Sequence, residues 1–469
     1  MARATRSRPV AVQPQSFLDC LRYFLTPTVW RQVLAAFRPH HALRWRPQPL
    51  LLVLLVMTWC SGESQAERFE TAKAFYVACH QRQRRPGKTL EGFHKALTHV
   101  PARVLRAVAA IIRARLQQVF AQLLMVDGFV PMGCDGSRLE CPRTPELQKY
   151  LLAKTKKSRP AKPHKKSREA GQPSVFVTAF VHLSSGLLWS WRLGGARASE
   201  RDHLVHLLPT LPSSALVVAD AGYVGYQMLH ALNQEKRHFL IRLCANAPLW
   251  TTERIAISRF REGVVWYWPQ DVQAQSGPPI PVRVIRIQHS RKVDVWLMTN
   301  VLESDRLSLE TASKFYRWRW RNEGLFRTYK RTFGKVKLMG RTVAQVHREA
   351  ESSLLAVQLV LAQGVLALQQ VAGARSELPS PRKILVEIRG EIREVTGSYL
   401  SQRQRHSFLD RLKRARWKPR PGRKNNQVRQ PWPNRTAHKP PKPPRFLKMG
   451  TDLKKLAAKT LGLPEDADC

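Results

Sequence analysis

Three acidic side chains stand out for what their types and settings could do. Asp135 and Asp220 each close a short apolar run and each precede a glycine-containing turn, Asp135-Gly136-Ser137 and Asp220-Ala221-Gly222. Glu323 lies within Tyr316-x2-Arg319-x3-Glu323-x6-Lys330. On an α-helix, at about 100° per residue, these four positions fall within an arc of about 60°. One face then presents hydroxyl, guanidinium, carboxylate and ammonium, with Trp318, Leu325 and Tyr329 on the far side and Phe326 flanking the polar arc. Carboxylate oxygens are hard ligands for Mg²⁺ or Mn²⁺. Two such ions, about 3.5–4 Å apart and held by about three carboxylates, stabilise the attacking and leaving oxygens of an in-line displacement at phosphorus. Taken singly, each feature has a blander reading. An Asp before a Gly turn is ordinarily a turn residue, as Asp127-Gly128 illustrates, and Glu323 has an ion-pair partner in reach at Arg327.

Carboxylates this far apart need a scaffold that brings strand ends and a crossing helix together. From about Ser16 to Met125 apolar residues recur at three and four, as in 69–79 and 104–123, which predicts helices divided at Pro27, Pro39, Pro47, Pro49, Pro86 and Pro101. This region reads equally as a helical DNA-binding domain or as a bundle that supports the neighbouring domain, and no helix-turn-helix is evident. The texture changes near Phe129. Residues 130–135 predict a short strand ending in Asp135, and 154–168 a basic loop with little to bury. Residues 174–183 and 187–193 form a hairpin around Ser184-Ser185-Gly186. Ser199 opens a helix, with Asp202 as a partial capping box, and 215–219 is a wholly apolar strand ending at Asp220. Next come a helix over 225–235, a strand over 238–243, a β-rich stretch over 244–300 and long helices over 307–333 and 343–371. The order strand, strand, strand, helix, strand, helix, strand is that of an RNase H-like domain.

Tyr316, Arg319, Glu323 and Lys330 also match a known pattern: they resemble the Y-x2-R-x3-E-x6-K motif of the DDE transposases of the insertion sequence 4 family. A chance match at a given position is on the order of 10⁻⁵ from ordinary residue frequencies. Cys134-Asp135-Gly136-Ser137-Arg138 and Ala219-Asp220-Ala221-Gly222-Tyr223 are similar to the same family, so the resemblance covers about 129–370. It implies an α/β, RNase H-like catalytic core with a β-rich insertion. It further implies two Mg²⁺ or Mn²⁺ ions held by Asp135, Asp220 and Glu323, and DNA phosphate held by Tyr316, Arg319 and Lys330. In some members a Trp of the insertion stacks on a flipped base. Trp266 and Trp268 are the nearest candidates here, though core packing is the commoner role. The implied activity is metal-dependent cleavage and strand transfer of DNA, with transposon ends and target DNA as partners and a homodimer in the synaptic complex.

Composition bears on the partner. The chain has 79 Lys and Arg against 33 Asp and Glu, a net charge of +46. That excess repels itself unless a polyanion neutralises it, and nucleic acid is the usual polyanion. The longest purely apolar run, 50–57, is short of the ~20 residues a bilayer-spanning helix needs, and the basic 1–14 has no apolar core behind it. Seven scattered cysteines without a CxxC pair argue against a disulfide scaffold or a cysteine zinc site, so a cytoplasmic, nucleoid-associated setting is expected. The absence of HExxH, and of GxGxxG after a strand, leaves metalloprotease and oxidoreductase readings without support. The remaining alternatives are a non-catalytic DNA-binding protein derived from a transposase and an RNase H-like nuclease without strand transfer. The expected domains are a helical 1–126, a catalytic core 127–372 with its insertion at about 244–300, and a basic, Pro-rich, largely disordered tail 373–469.

Overall fold

The computed structural model describes residues 14, 16–36, 44–82, 85–152, 172–270, 277–288, 294–371, 377–397, 408–413, 416 and 443–461. The basic loop expected at 154–168 and most of the tail expected at 403–448 lie outside the described residues. Two compact units divide the chain: Met1–Val119 with Ala344–Trp417, and Phe120–Val343 with Lys418–Cys469. These limits differ from the expected boundaries at 126 and 372, because the segment after residue 343 groups with the N-terminal helices.

The first unit is helical. It begins with α1 (Phe17–Phe24), α2 (Pro27–Ala36), α3 (Pro47–Trp59), α4 (Gln65–Cys79), α5 (Leu90–Thr98) and α6 (Ala102–Val119). The caps are dictated by sequence. Ser16 with Asp19 and Ser64 with Glu67 close capping boxes on α1 and α4, and proline stands in the first turn of α3 where no amide bond is lost. Phe17 meets Trp59, Phe75 and Phe408 at ring-centroid distances of 5.5, 5.8 and 5.5 Å.

The second unit holds α7 (Ala121–Leu124), β1 (Val130–Glu140), α8 (Pro145–Leu151), β2 (Ser174–His182), β3 (Leu187–Gly194), α9 (Glu200–Leu207), β4 (Ala215–Ala219), α10 (Tyr226–Gln234) and β5 (His238–Arg242). The insertion comes next as β6 (Pro248–Thr251), β7 (Glu262–Tyr267), β8 (Ile280–Ile287) and β9 (Val295–Thr299), then α11 (Leu309–Trp318) and α12 (Trp320–Arg331). The chain then returns to the helical unit with α13 (Val343–Gln369), α14 (Pro381–Val395) and α15 (Phe408–Lys413), and ends in the sheet unit with β10 (Arg445–Lys448) and α16 (Thr451–Leu461). Residues 443–461 of the expected tail are thus ordered: β10 pairs in parallel with β6. The helix α13 is, by length and composition, apolar enough to cross a bilayer, which the short apolar run at 50–57 did not foretell. It is buried from Ala350 to Leu368, as a mostly apolar helix is when it packs inside a protein.

Among the described residues, ten strands form one sheet in the order β10-β6-β7-β8-β9-β5-β4-β1-β2-β3. The run β3-β2-β1 is antiparallel, whereas β1, β4 and β5 are parallel, so the fold is RNase H-like as expected. Wholly apolar β4 lies between β1 and β5 with all of its residues buried. The insertion extends the same sheet, because β9 pairs with both β5 and β8. One face of the central strands is covered by α11. Ala312, Phe315 and Tyr316 pack with Leu216, Val218, Leu240 and Leu297. Each such large apolar side chain contributes about 1.5–3 kcal/mol when fully buried, enough to fix the helix and the segment that continues from it.

Candidate active site

The register of the central strands places the two aspartates. In the parallel pairing of β1 with β4, Gly133 lies opposite Val218. Two residues further along the chain from each come Asp135 and Asp220, the latter just past the end of β4. Asp135 does not stand at a strand end, contrary to expectation. It lies inside β1, opposite Ala179 of β2, because β1 continues along β2 after β4 has ended at Ala219. Asp220 caps the turn after β4, its Oδ1 accepting the Ala221 N–H at 2.8 Å, and Asp135 Oδ1 accepts the Gly136 N–H at the same distance.

Glu323 arrives on a helix that differs from the expected one. The single helix expected over 307–333 is two, α11 and α12, meeting at Arg319. There the Arg319 N–H bonds to the Tyr316 carbonyl and the Asn322 N–H to the Arg319 carbonyl, the tighter three-residue spacing that marks a local break. The start of α12 is held against the sheet by Arg321, whose guanidinium donates to the Leu183 and Ser184 carbonyls. Asn322, fully buried, lies against Gly133 of β1.

Arg319 is the centre of the arrangement. Its side chain is 7% exposed, and its Nη1 is 3.9 Å from Asp220 Oδ2 and 4.0 Å from Glu323 Oε1. Its guanidinium lies over the rings of Tyr316, at 5.6 Å, and Trp320, at 4.8 Å. The two carboxylates are more open, at 46% and 39%. Arg242, at the end of β5, reaches Asp220 Oδ1 at 3.9 Å. Burial pushes the Asp135 carboxyl up to about 6; Glu200 and Glu323 add to the rise, and the Gly136 N–H and Arg319 oppose it. Arg319 thus stands between Asp220, just past β4, and Glu323 on α12.

Other expected site residues fall elsewhere. Lys330 is half-buried near the C-terminal end of α12, and Tyr316 is largely buried in the core beneath Arg319. Trp266, 4% exposed, packs with Met449, Leu453 and Ala457, and Trp268 lies against the same cluster with its Nε1 bonded to the Gly277 carbonyl. Both tryptophans thus take the packing role, against Leu453 and Ala457 of α16 and Met449 just before it. Asp127 is a turn residue: with Gly128 it takes the positive φ of a tight hairpin turn, and it is paired with Lys314 at 2.7 Å. Two neighbours are not evident from sequence. Arg242 carries no signal. Glu200 carries only an ambiguous one, an acidic first helical residue, which is ordinary at any helix start.

Among the described residues, no three His, Cys, Asp or Glu side chains stand close enough together to hold a metal ion as they are placed. The donors nonetheless suit divalent cations: carboxylates on one sheet face and one facing helix, with a guanidinium standing as the cation between Asp220 and Glu323. The Arg319 Nε is buried without a hydrogen-bond partner among the described residues, so the site has polar capacity left for a ligand.

Residues 134–359, just under half of the chain, match the model of the transposase DDE domain family. The matched span starts one residue before Asp135 and contains Asp220 and Glu323. No curated protein sequence matches the chain. Among solved structures, one described as the piggyBac transposase synaptic complex with hairpin DNA aligns at 12% identity and a TM-score of 0.36, covering 83% of this chain and 84% of that one.

Proposed function

We propose that this chain, whose sheet unit is similar to transposase DDE domains, is a DNA transposase of the insertion sequence 4 type. On this reading it binds the ends of a transposon, cleaves them and joins them to target DNA. The observation that supports the reading is that Asp220 and Glu323 both lie at Arg319, with Asp135 on the strand next to β4. The net charge of +46 supports a polyanionic partner.

Asp135, Asp220 and Glu323 would hold two Mg²⁺ or Mn²⁺ ions, which when bound supply Lewis acidity to both the attacking and the leaving oxygen. Arg319 neutralises Asp220 and Glu323 in their absence and, once released, grips the phosphate beside the cut through its planar fork. Tyr316 supports the guanidinium from below, and Lys330 adds a cationic contact further along α12. Burial of Asp135 and Arg319 excludes bulk water from the side of the site facing the sheet. A synaptic homodimer and a cytoplasmic, nucleoid-associated location belong to the same proposal.

The test is a strand-transfer assay. A DNA fragment bearing the inverted repeats that flank the gene is incubated with the protein, a target plasmid and Mg²⁺. Joined products are expected. Cleavage without joining would favour a nuclease, and binding without cleavage a non-catalytic derivative.

A further inference from the structure

The solvent face of α12 carries a pattern that neither the carboxylates nor the core uses. At about 100° per residue, Trp320, Gly324, Arg327 and Arg331 fall within an arc of about 60°. Asn322, Leu325, Phe326 and Tyr329 lie on the opposite side and are buried. Trp320, Arg327 and Arg331 are exposed. Glu323, which borders the arc, is the only acidic residue of the helix.

Two features of this stripe have no use within the chain. Arg327 stands one turn after Glu323 and within reach of it, yet Glu323 Oε1 lies 4.0 Å from Arg319 Nη1 instead. Among the described residues neither Arg327 nor Arg331 has an ion-pair partner. A face kept only for solubility ordinarily mixes both signs, and this one does not. Gly324 is the second feature. Glycine in a helix interior is destabilising relative to alanine. Gly133 has its reason in the packing of Asn322 and Leu183, but a Cβ built on Gly324 would meet nothing within 4 Å. No neighbour in the chain demands the glycine, so a bare patch of helix beside two cations suits close approach by an outside group. Arg327 and Arg331 lie one turn apart, about 6 Å along the axis. With no acid between them, they are complementary to a polyanionic strand.

We propose that this stripe of α12 is a track for the phosphate backbone of duplex DNA, gripped by Arg327 and Arg331, with Gly324 clearing the helix surface where the strand passes. The proposal rests on the reading of the chain as a DNA transposase, and it adds to that reading a surface outside the carboxylate site.

The experiment measures binding of the full chain to duplex DNA carrying the element's inverted repeats, by fluorescence anisotropy in chelator across a series of salt concentrations. Arg327→Gln and Arg331→Gln are each expected to flatten the dependence of log K on log salt by about 0.9, and the double variant by about twice that. Arg327→Lys should keep the wild-type slope, since the charge remains. Gly324→Ala should melt higher than wild type, as removal of a glycine from a helix interior does. Gly324→Leu should melt no lower than wild type, yet bind about 10-fold more weakly, the equivalent of one lost charge-assisted contact. Stability kept or raised while affinity falls is the signature of clearance, which a glycine serving the fold would not give. A wild-type slope in the double arginine variant, or wild-type affinity in Gly324→Leu, would overturn the track; DNA binding by the wild type would leave the transposase reading standing. A Gly324→Ala or Gly324→Leu chain that melts lower would also overturn it, since the glycine would then serve the fold. Failure of the wild type itself to bind DNA would sink the transposase reading instead.

Discussion

Asp135 is half-buried, and burial pushes its carboxyl up from 3.8 to about 6, with Glu200 and Glu323 adding to the rise. A raised folded-state value means that the folded chain holds this proton more tightly than the unfolded one. Stability from Asp135 is therefore present at low pH and is lost as pH rises from 3.8 through about 6. Above that range the ionised carboxylate strains the metal-free fold. Asp135→Asn should accordingly raise the metal-free melting temperature at pH 7.5, by the equivalent of roughly 1–3 kcal/mol, while abolishing cleavage. Calorimetry of the variant checks this, and a lower melting temperature would contradict the placement of Asp135 among carboxylates. Arg319→Lys conserves charge but loses the planar fork and the stacking between Tyr316 and Trp320. It should slow single-turnover cleavage by about 10²-fold, the scale of a 1 Å misplacement. Wild-type rates would contradict a phosphate-gripping role. At this scale the spacing of Tyr316, Arg319 and Glu323 marked the segment that carries Arg319, but not the break there between α11 and α12. Arg242 was not legible, since nothing in the chain shows that the end of β5 reaches Asp220.

Strand boundaries and helix breaks were less legible than the elements themselves. The hairpin of β2 and β3, the apolar β4 and the Ser199 cap result from alternation, continuous apolarity and capping, which are local properties. The extension of β1 past Asp135 and the break at Arg319 depend on β2 and on the sheet beneath α12, which are not local. Gly133 tests the link between β1 and α12. A Cβ there would meet the Asn322 side chain at 2.5 Å and Leu183 at 2.5 Å. Gly133→Ala should cost about 1–3 kcal/mol by overpacking and push α12, with Glu323, off the sheet. Measured together, stability and cleavage should both fall; full cleavage activity would show that α12 does not depend on this contact. His182 makes a second test. Its Nε2 faces the Leu124 carbonyl at 3.0 Å, so Nε2 carries the proton and Nδ1 accepts from Ser185 Oγ at 2.7 Å. Complete burial lowers its pKa from 6.5 to about 4. Its contribution to stability is full above pH 6.5 and is lost as pH falls from there to about 4, a change on the order of 3 kcal/mol. Denaturant unfolding of wild type and His182→Gln between pH 7.5 and 4.5 should show a steeper loss in wild type.

At the scale of the whole molecule, the grouping of 344–417 with the N-terminal helices was illegible because α13 looks like any apolar helix, and only its neighbours decide where it is buried. Composition, by contrast, spoke directly to the partner. Segment 418–442 has eight Lys and Arg and no Asp or Glu. Deleting it while keeping β10 should flatten the dependence of log K for duplex DNA on log salt by about 0.9 per lost phosphate contact. An unchanged slope would leave that segment without a role in DNA binding. The most direct test of the central claim is end cleavage by wild type and Glu323→Gln on DNA carrying the element's inverted repeats. The account predicts cleavage by wild type with Mg²⁺ and none with chelator. It also predicts near-wild-type DNA affinity but no cleavage by Glu323→Gln, since one carboxylate is lost and the fold is not. Cleavage by Glu323→Gln at the wild-type rate, or by wild type in chelator, would contradict it.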